Sequence, residues 1–457
     1  MKITLDADKH RAARPIAVVG ASAAGLAAAE ALRRFGWHGP LTLIGDESHL
    51  PYDRPPLSKQ LLYGTWEPAK LLLRTKDQLD ALDLDLRLDT RATGLDVAGR
   101  TLTLDGEERL DCAGVIIASG VAARTLPGAD RVAGVHTLRT LDDALALRDR
   151  LTGGHRRLVV AGNGVLGCEA AAVARELGHE VTLVGREPVP MAAAVGAGIG
   201  ELLAAEHRAR GVRLSTGEVA AFETTGDGTA TWVDGVRLTD GSRLPADLVL
   251  LAIGSEPAVG WLADPALDTT DGLGCDAYCA AAPGIYAAGD VARWEHPVHG
   301  RPLRFEHRMN ATEQAMAAAR NLVAELTAEG AMAAAEGAEP QERRPFAPVP
   351  YFWSDQYGLK LQAYGLTTGA DEVATTVLDH DARRAVALYG RAGQAVGVLA
   401  CALPPRQIRA LRAVVAAPVP WGRRATGSGP PPPPAEARAG HTRAPPDHSG
   451  RCPIMER

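Results

Sequence analysis

Two glycine-rich turns carry the clearest chemistry in this 457-residue sequence. The first runs from Gly20 to Gly25 and the second from Gly162 to Gly167, and each lies between a short apolar run and an Ala-rich stretch. In a strand–turn–helix unit, such glycines permit the tight turn, the approach of the backbone to a pyrophosphate and close helix packing. The helix N-terminus adds free N–H groups. Two copies in this context predict two dinucleotide sites. The residues assigned to them are Gly20, Ser22, Ala23, Ala24 and Gly25, then Gly162, Gly164, Val165, Leu166 and Gly167.

The residues that follow the second strand of each unit concern the adenosine ribose. In the first unit Asp46, with Glu47 beside it, stands where a carboxylate accepts hydrogen bonds from ribose hydroxyls. In the second unit Gly185 takes that position and Arg186 follows. A guanidinium there favours a 2′-phosphate, as in NADPH, or dual use, whereas Glu187 favours NADH. The sequence leaves both donors open.

Both turns need a βαβ unit around them, and the sequence pattern predicts one for each. Short apolar runs indicate buried strands, and the Ala- and Leu-rich stretches indicate helices ending at Gly36 and Gly178. Later apolar runs end at Gly120 and Gly254, where we expect the chain to cross between domains. The predicted strands are 16–19, 41–44, 115–118, 158–161, 181–184, 248–252 and 284–290, and the predicted helices are 24–35, 169–177 and 310–326.

The remaining chain divides into a linker, a small domain and a tail. Residues 327–345 are rich in Ala, Glu and Gly and indicate a helix extension or linker. Residues 348–416 indicate a small α+β domain, and the tail contains five consecutive prolines, Pro430 to Pro434, which favour disorder. The strands predicted in the small domain are 373–378, 385–389 and 395–401, with a helix at 405–415.

Composition excludes several classes of function. The formal net charge of −6 argues against a general nucleic-acid binder. No uninterrupted apolar stretch of about 18 residues exists, so we expect no membrane span. The segment from Met1 to Pro15 lacks the apolar run of a signal peptide, and the six cysteines are scattered. These features predict a cytoplasmic protein.

The positions of the cysteines and histidines limit the redox chemistry. No cysteine precedes Cys112, so the first helix carries no redox-active thiol, and disulfide reductase activity is not expected. Cys275 and Cys279 follow a glycine-rich loop and are interpreted as structural thiols. No spacing fits an iron–sulfur cluster or a zinc site, so no metal is predicted and the electron acceptor is external. The histidines lack metal spacing and are interpreted as polar loop residues: His296, His299 and His307.

The order of the motifs from about residue 14 to residue 416 resembles a known family. It is similar to the FAD-dependent ferredoxin reductases that serve bacterial cytochrome P-450 and Rieske-type oxygenases. The motifs that carry the resemblance are VGASAAG at 19–25, PYDRPPLSK at 51–59, LRTLDDA at 138–144, the second glycine turn, YAAGDVAR at 286–293, NATEQ at 310–314 and PYFWSDQ at 350–356.

The resemblance implies a fold and domain limits. The fold class is α/β, with two Rossmann-like dinucleotide-binding domains, for FAD and NAD(P), and a small C-terminal α+β domain. The implied division is 1–119 and 249–345 for a discontinuous FAD-binding domain, 120–248 for the NAD(P)-binding domain and 346–420 for the C-terminal domain. The disordered Pro-rich tail, 421–457, is predicted from its composition and lies outside the resemblance.

The resemblance also implies roles for single residues. Lys59 and Glu169 form an ion pair near flavin N5 and Trp353 lies over the flavin side of the cleft, and these three are the expected catalytic residues. Arg308 stands where relatives often have an aromatic residue beside the flavin. The further residues implied for the cofactors are Ala24 and Asp46 at the adenosine and pyrophosphate, Ala92 at the adenine, Asp290 with Gly289 at the ribityl chain, and Arg54, Arg139 and Gly254.

The implied activity is hydride transfer from NADH or NADPH to FAD, followed by single-electron transfer to a 2Fe–2S ferredoxin. Neither nucleic acid nor membrane is an expected partner. Arg301, Arg304 and Arg308 are candidates for a basic rim that meets an acidic ferredoxin. The alternatives are a rubredoxin reductase, an NAD(P)H oxidase, or a nucleotide-sensing interaction protein resembling apoptosis-inducing factor.

Overall fold

The computed structural model describes residues 14–226, 231–330, 342–415 and 419–421. Residues 331–341 of the predicted linker and the predicted tail from residue 422 onward lie outside the described residues. The strands are β1 Ile16–Val19, β2 Leu41–Ile44, β3 Asp85–Arg87, β4 Ala92–Asp96, β5 Thr101–Leu104, β6 Arg109–Asp111, β7 Gly114–Ile117, β8 Val121–Ala123, β9 Val135–His136, β10 Arg157–Ala161, β11 Glu180–Gly185, β12 Arg213–Thr216, β13 Val219–Thr225, β14 Trp232–Leu238, β15 Arg243–Pro245, β16 Leu248–Leu251, β17 Ser255–Pro257, β18 Leu273–Cys275, β19 Ala280–Ala282, β20 Ile285–Ala287, β21 Ala292–His296, β22 Arg301–Leu303, β23 Tyr351–Gln356, β24 Leu359–Gly365, β25 Glu372–Asp379, β26 Arg384–Arg391, β27 Gln394–Cys401 and β28 Val419–Pro420.

The α-helices follow the same order. They are α1 Ala23–Arg34, α2 Gln60–Tyr63, α3 Lys76–Asp80, α4 Leu141–Thr152, α5 Val165–Glu176, α6 Ala192–Ala209, α7 Arg308–Ala328 and α8 Pro405–Arg412. Helix α6 is interrupted by non-helical backbone at Gly196. Within the described residues, no helix is both long enough and apolar enough to cross a membrane.

The first layer is a six-stranded sheet with the order β19-β20-β7-β1-β2-β3. Strand β1 pairs in parallel with β2 and with β7. Apart from Gly114 and Thr42, all residues of these three strands are apolar. Parallel strands need cover on both faces, which explains their continuous apolar sequences. Helices α1 and α7 pack against each other and against this sheet.

The second layer is a five-stranded parallel sheet with the order β12-β11-β10-β16-β9. Its strands lie between β7 and β20 in sequence, so it is inserted into the chain that forms the first sheet. The chain leaves through β8 and returns through β17, and these two strands pair with each other in an antiparallel ribbon. The crossings predicted at Gly120 and Gly254 are therefore confirmed.

The third layer is the C-terminal antiparallel sheet, with the order β23-β24-β27-β26-β25 and β28 beside β27. Its last three long strands were predicted, whereas the β23–β24 hairpin was not. The sheet shares one apolar core with the second layer. At that contact the Tyr389 hydroxyl donates a 2.7 Å hydrogen bond to the carbonyl of Val195 in α6.

The architecture confirms the predicted α/β fold class with two Rossmann-like sheets and a C-terminal sheet. The domain limits stay predictions. The helix bounds differ from the predicted ones by a few residues, most at α5, which begins at Val165 rather than Glu169.

Candidate active site

A cavity of about 990 Å³ lies where the first two sheets face each other. It opens beyond the carboxyl ends of β1 and β10, which is where ligands bind in open α/β sheets. Both glycine-rich turns line it, and so do Gly254, Gly289, Asp290 and Trp353. The cavity therefore brings the two predicted dinucleotide sites together.

The first glycine of each turn has no room for a side chain. Gly20 has φ +115° and Gly162 has φ +112°, a backbone region that favours glycine. A Cβ atom at Gly20 would lie 2.1 Å from the carbonyl oxygen of Ala118, and one at Gly162 would lie 2.0 Å from that of Ala252. The neighbouring strands thus fix both turns in nearly the same shape.

The helices after the two turns begin without a side-chain cap. Ser22 precedes α1, and its side chain accepts no hydrogen bond from the first helical turn. Gly164 precedes α5 and has no side chain that could cap it. The first N–H groups of a helix need an acceptor and carry partial positive charge. Both helix starts line the cavity, so they suit the pyrophosphates of two dinucleotides.

A group of paired side chains lines the first turn. Arg54 donates hydrogen bonds to Glu47 at 2.6 Å and to the carbonyl of Arg139 at 2.6 Å. Arg139 in turn donates to Asp290 at 3.3 Å, and its buried Nε atom has no partner among the described residues. Burial raises the pKa of Asp290, although the neighbouring Arg139 opposes the shift. Arg54, Arg139 and Asp290 line the cavity, and the Nε atom of Arg139 can still donate a hydrogen bond to a ligand there.

Three residues predicted for the adenosine half of FAD lie outside the cavity lining: Asp46, Glu47 and Ala92. Both carboxylate oxygens of Glu47 already accept hydrogen bonds, one from Arg54 and one from the Tyr52 hydroxyl at 2.6 Å. Asp46 is exposed, with Arg91 3.9 Å away. Of the two acids, Asp46 is thus the one with oxygens available to a ribose. Ala92 is buried at the start of β4.

Lys59 and Glu169 form the predicted ion pair, with 2.5 Å between Nζ and Oε2. The Glu169 side chain is only 4% exposed and that of Lys59 14%. The Ser58 hydroxyl also donates to Oε2, at 2.7 Å, and the Ser354 hydroxyl donates to Oε1, at 2.8 Å. A buried carboxylate needs such partners, and here Lys59 and Ser58 come from the first layer and Ser354 from the third.

The hydrogen bonds continue from Ser354 into the core. Gln356 donates to the Ser354 hydroxyl at 3.1 Å, and its side-chain oxygen faces Nε2 of His207 at 3.0 Å. The Tyr357 hydroxyl lies 3.1 Å from Nδ1 of the same ring. Burial lowers the pKa of His207 to about 4. These roles were not predicted: Ser354 and Gln356 lie in the PYFWSDQ motif, which does not reveal their partners, and His207 lies in no motif.

Aromatic and basic side chains cover the other side of the cavity. Trp353 lines it and stacks on Tyr351, with 5.9 Å between ring centroids. Arg308, at the start of α7, is bonded to Asp53 and donates to the Thr312 hydroxyl at 2.5 Å. The position where relatives often have an aromatic residue thus holds an ion pair.

His307 lies in a loop, as predicted, but it is also part of the cavity. It precedes α7 and lines the cavity, with its ring stacked on Phe305 at 5.2 Å and tilted against Phe352. Burial lowers its pKa to about 4. His296 departs from the prediction, because it is buried at the end of β21. Its ring centroid lies 4.5 Å from that of His299.

The second turn faces Arg186 and Glu218, which both line the cavity. Arg186 is largely exposed, and its Nε lies 3.5 Å from a Glu218 oxygen. A Cβ atom at Gly185 would fall 1.9 Å from the side-chain Cγ of Asn163, so the Asn163 amide fills that space. Glu218 was not predicted, since it follows β12 rather than the strand that usually carries the ribose acid.

Two of the three arginines predicted for a basic rim are already paired. Arg304 bonds to Asp271 at 3.1 Å and to Glu306 at 2.7 Å. Arg308 bonds to Asp53, as described above. Two of the three candidates thus pair with local acids, and the basic rim stays a prediction.

The cysteines lie apart from the cavity. The five in the described part of the chain are unpaired and buried: Cys112, Cys168, Cys275, Cys279 and Cys401. None of these five is among the cavity-lining residues. Burial raises the pKa of both Cys275 and Cys279. Contrary to the predicted loop, Cys275 ends strand β18. The described residues contain no group of three or more His, Cys, Asp or Glu placed to hold a metal.

Comparison with known proteins places the chain in a family. The family model described as pyridine nucleotide-disulphide oxidoreductase matches residues 14–319, and one described as reductase C-terminal matches residues 351–426. The chain belongs to the pyridine nucleotide-disulphide oxidoreductase family. FAD and a nicotinamide dinucleotide are the cofactors of this family, as predicted. The glycine turns, the uncapped helices and the unpartnered Arg139 atom fit both groups.

Within the pyridine nucleotide-disulphide oxidoreductases, the chain is similar to ferredoxin reductases. The ferredoxin–NAD(+) reductase component of the p-cumate 2,3-dioxygenase system of Pseudomonas putida is 37% identical over 354 residues, which are 77% of this chain and 81% of that protein. The ferredoxin reductase for the CYP199A2 system from Rhodopseudomonas palustris is similar in structure, with TM-score 0.78 and 31% identity over 90% of this chain and 96% of that one. The covalent putidaredoxin reductase–putidaredoxin complex is also similar in structure, with TM-score 0.79 and 29% identity over 89% of this chain and 94% of that one. The predicted resemblance is confirmed.

Proposed function

We propose that this protein is an FAD-dependent reductase that accepts hydride from NADH and passes single electrons to a 2Fe–2S ferredoxin of an oxygenase system. The observation that carries the proposal is one cavity that exposes both glycine-rich turns and, between them, the buried Lys59–Glu169 pair. The relatives named as ferredoxin–NAD(+) reductases and the similarity to a reductase–putidaredoxin complex support it.

The residues of the first turn would hold FAD. The N-terminus of α1 binds the pyrophosphate, Asp46 accepts from the adenosine ribose, and Arg139 and Asp290 bind the chain between pyrophosphate and ring. Ala92 and Arg54 are assigned to the adenine and to the packing around the cofactor, with Glu47 holding Arg54. When bound, FAD supplies the conversion of a two-electron hydride into single-electron steps.

The residues of the second turn would hold the nicotinamide donor. The N-terminus of α5, with Val165 and Leu166 in its first turn, binds the pyrophosphate, and Gly254 lines the path to the first site. We assign NADH as the donor, because Glu218 lies beside Arg186 and opposes a 2′-phosphate there. The relatives named for NAD(+) agree with this assignment.

Lys59, Glu169 and Trp353 act where the two dinucleotides meet. The Lys59 side chain lies in a mostly buried site, where Glu169 is its ion-pair partner. Its position at the cavity wall lets it hold a proton and orient the reacting ring. Trp353 closes the cavity from the third layer, which excludes water from the hydride path.

The N-terminus of α7 adds electrostatic support. Helix α7 runs from Arg308 to Ala328, and its N-terminal cap His307 lines the cavity. The partial positive charge of a helix N-terminus favours negative charge that develops on a ring in front of it. The proposal further includes the domain limits given above and a cytoplasmic location, where the unpaired cysteines would stay reduced.

The test is an anaerobic titration of the purified flavoprotein with NADH and, separately, with NADPH. We expect NADH to bleach the flavin absorbance faster, and added putidaredoxin to be reduced afterwards. A protein that binds no flavin would contradict the proposal. Fast reoxidation by oxygen together with no reduction of any 2Fe–2S ferredoxin tested would favour an oxidase.

A further inference from the structure

A second cavity, of about 250 Å³, touches the Lys59–Glu169 pair from outside the first cavity. Lys59 and Glu169 line both cavities, so the ion pair forms part of the wall between them. The other lining residues include the polar side chains of Gln60, Thr65, Asp355 and Glu176. Since a water molecule occupies about 30 Å³ in the liquid, this space accommodates several waters.

Exposure increases along the second cavity from the ion pair outward. Glu169 is 4% exposed and Lys59 14%, whereas Asp355 is half-buried and Thr65 and Glu176 are exposed. Carboxylates therefore stand at both ends, Glu169 at the buried end and Glu176 at the open end. A row of polar groups with this gradient is suited to ordered water.

The reaction requires a route of this kind, and this step rests on the proposed function. A hydride brings two electrons and one proton to the site. Two single-electron acceptors remove only the electrons, so one proton must reach solvent in each cycle. A nicotinamide dinucleotide bound at the second turn would occupy the first cavity, so a second route to solvent would serve while the donor or its oxidised product is bound.

We propose that the second cavity is the proton exit of the reductase. The proton passes from the Lys59–Glu169 pair to water in the second cavity and leaves past Asp355 and Glu176. One nicotinamide is oxidised, two single-electron acceptors are reduced, and one proton is released, so atoms and electrons balance.

The hydrogen-bond chain through Ser354 has a different task. It runs from Oε1 of Glu169 through Ser354 and Gln356 to His207. The Gln356 amide cannot pass a proton on as a hydroxyl or imidazole does, so this chain positions Glu169 rather than conducting. It leaves Oε2 as the oxygen that faces Lys59.

The decisive variant fills the cavity without replacing a residue of the ion pair. Ala172 lies on α5 and lines the second cavity but not the first. In Ala172→Leu we expect unchanged flavin reduction by NADH under anaerobic conditions. Reoxidation by ferricyanide, a one-electron acceptor that needs no protein docking, should slow at least about tenfold, since positioned proton transfer typically contributes about 100-fold or more. The control is Ala209→Leu, at an exposed position on α6.

Two further readouts do not depend on steady-state activity. Proton release, followed with a pH-indicator dye in a single turnover, should lag behind reoxidation in Ala172→Leu and match it in the wild type. A crystal structure of the wild-type flavoprotein should show ordered waters between Glu169 and Glu176, and these should be absent from Ala172→Leu. Waters absent from the wild-type cavity would overturn the proposal.

A second variant covers the case in which Ala172→Leu does not fold. The double substitution Glu176→Gln and Asp355→Asn should slow reoxidation and increase its solvent deuterium isotope effect, whereas Glu201→Gln, an exposed acid on α6, should not. Wild-type reoxidation and isotope effects in these variants overturn the proton exit alone. Failure of the wild type to oxidise NADH overturns the exit and the proposed function together.

Discussion

At the scale of single residues, the proposed chemistry depends on an ion pair that is mostly buried, Lys59 with Glu169. Glu169 accepts hydrogen bonds from Lys59, Ser58 and Ser354, so its two oxygens are both engaged. A buried carboxylate that loses its cation is left uncompensated and typically costs about 3–5 kcal/mol. Replacing Lys59 should therefore affect both the proposed hydride transfer and the free energy of unfolding.

The first prediction removes the cation. Lys59→Ala should slow flavin reduction by NADH, because the reacting ring loses its positive neighbour. It should also destabilise the fold by several kcal/mol, and adding Glu169→Gln should recover part of that loss. Stopped-flow absorbance and urea unfolding measure the two effects. Wild-type hydride-transfer rates in Lys59→Ala would remove Lys59 from the active site.

The second prediction concerns donor choice. Glu218→Gln removes the acid beside Arg186, so the guanidinium becomes available to a 2′-phosphate and the NADPH-to-NADH preference should rise roughly fivefold, about 1 kcal/mol. Arg186→Glu should shift the preference towards NADH. Isothermal titration with NAD⁺ and NADP⁺ and the ratio of kcat/KM values test both. Equal ratios in wild type, both variants and Glu201→Gln would discard the role of this pair.

Sequence reasoning found the residues that carry a motif and missed those that act through tertiary contact. Lys59 and Glu169 are 110 positions apart, and only the family pattern predicted their contact. Ser354 and Gln356 lie in a motif that was recognised, but without a partner in view their role was hidden. His207 has no motif at all. Its burial depends on how α6 meets the C-terminal sheet, which no local pattern reports.

At the scale of elements, the two glycine-rich turns have nearly the same backbone geometry and the same surroundings. Each connects a buried parallel strand to a helix without a side-chain cap. Each also packs its first glycine against the end of a neighbouring strand, β7 or β16. The turn geometry is thus enforced by the sheet, and the helix start is left for a ligand.

The third prediction separates these two features in the second turn. Gly162→Ala places a methyl group on the Ala252 carbonyl at a strained φ, so we expect a loss of at least about 2 kcal/mol. Gly164→Ala meets open space, so the melting temperature should stay near the wild-type value while NADH binds more weakly. Thermal unfolding and titration calorimetry measure these effects. Equal behaviour of the two variants would contradict this division of roles.

The elements that sequence predicted best are those with apolar runs or long helical stretches. The central strands of both parallel sheets agree with the structure to within a residue or two. The β23–β24 hairpin was missed because Tyr351–Gln356 does not alternate between apolar and polar residues. Its inward positions are instead Ser354 and Gln356, which tertiary hydrogen bonds satisfy.

At the scale of the whole molecule, one buried polar chain ties the three layers together. Ser58 and Lys59 come from the first layer, Glu169 and His207 from the second, and Ser354 and Gln356 from the third. All hydrogen bonds of such a network form only when the three layers are correctly packed against one another. It therefore couples the packing of the C-terminal sheet to the geometry of the ion pair.

The fourth prediction follows from the His207 pKa, which burial lowers from 6.5 to about 4. The unfolded chain therefore binds more protons than the folded one between these values, and stability falls as the pH decreases from about 7 to about 4. The His207 contribution is about 3 kcal/mol. His207→Gln keeps a donor and an acceptor but cannot titrate, so its unfolding free energy should depend less on pH.

Urea unfolding at about pH 7.5 and about pH 4.5 measures this difference, with His38→Gln as the control at an exposed histidine. A pH dependence in His207→Gln equal to that of the wild type would show that the ring does not carry the effect.

The ribbon formed by β8 and β17 gives the inserted layer a practical property. Ser255 pairs with Ala123 and Pro257 with Val121, so the two ends of the insertion meet side by side. A segment whose ends are adjacent can be cut out and replaced with little cost in loop closure. Exchanging residues 124–254 for the matching stretch of a relative should produce chimaeric reductases that keep the first glycine-rich turn and Asp290, take the residues at positions 139 and 169 from the relative, and follow the relative's preference for NADH or NADPH.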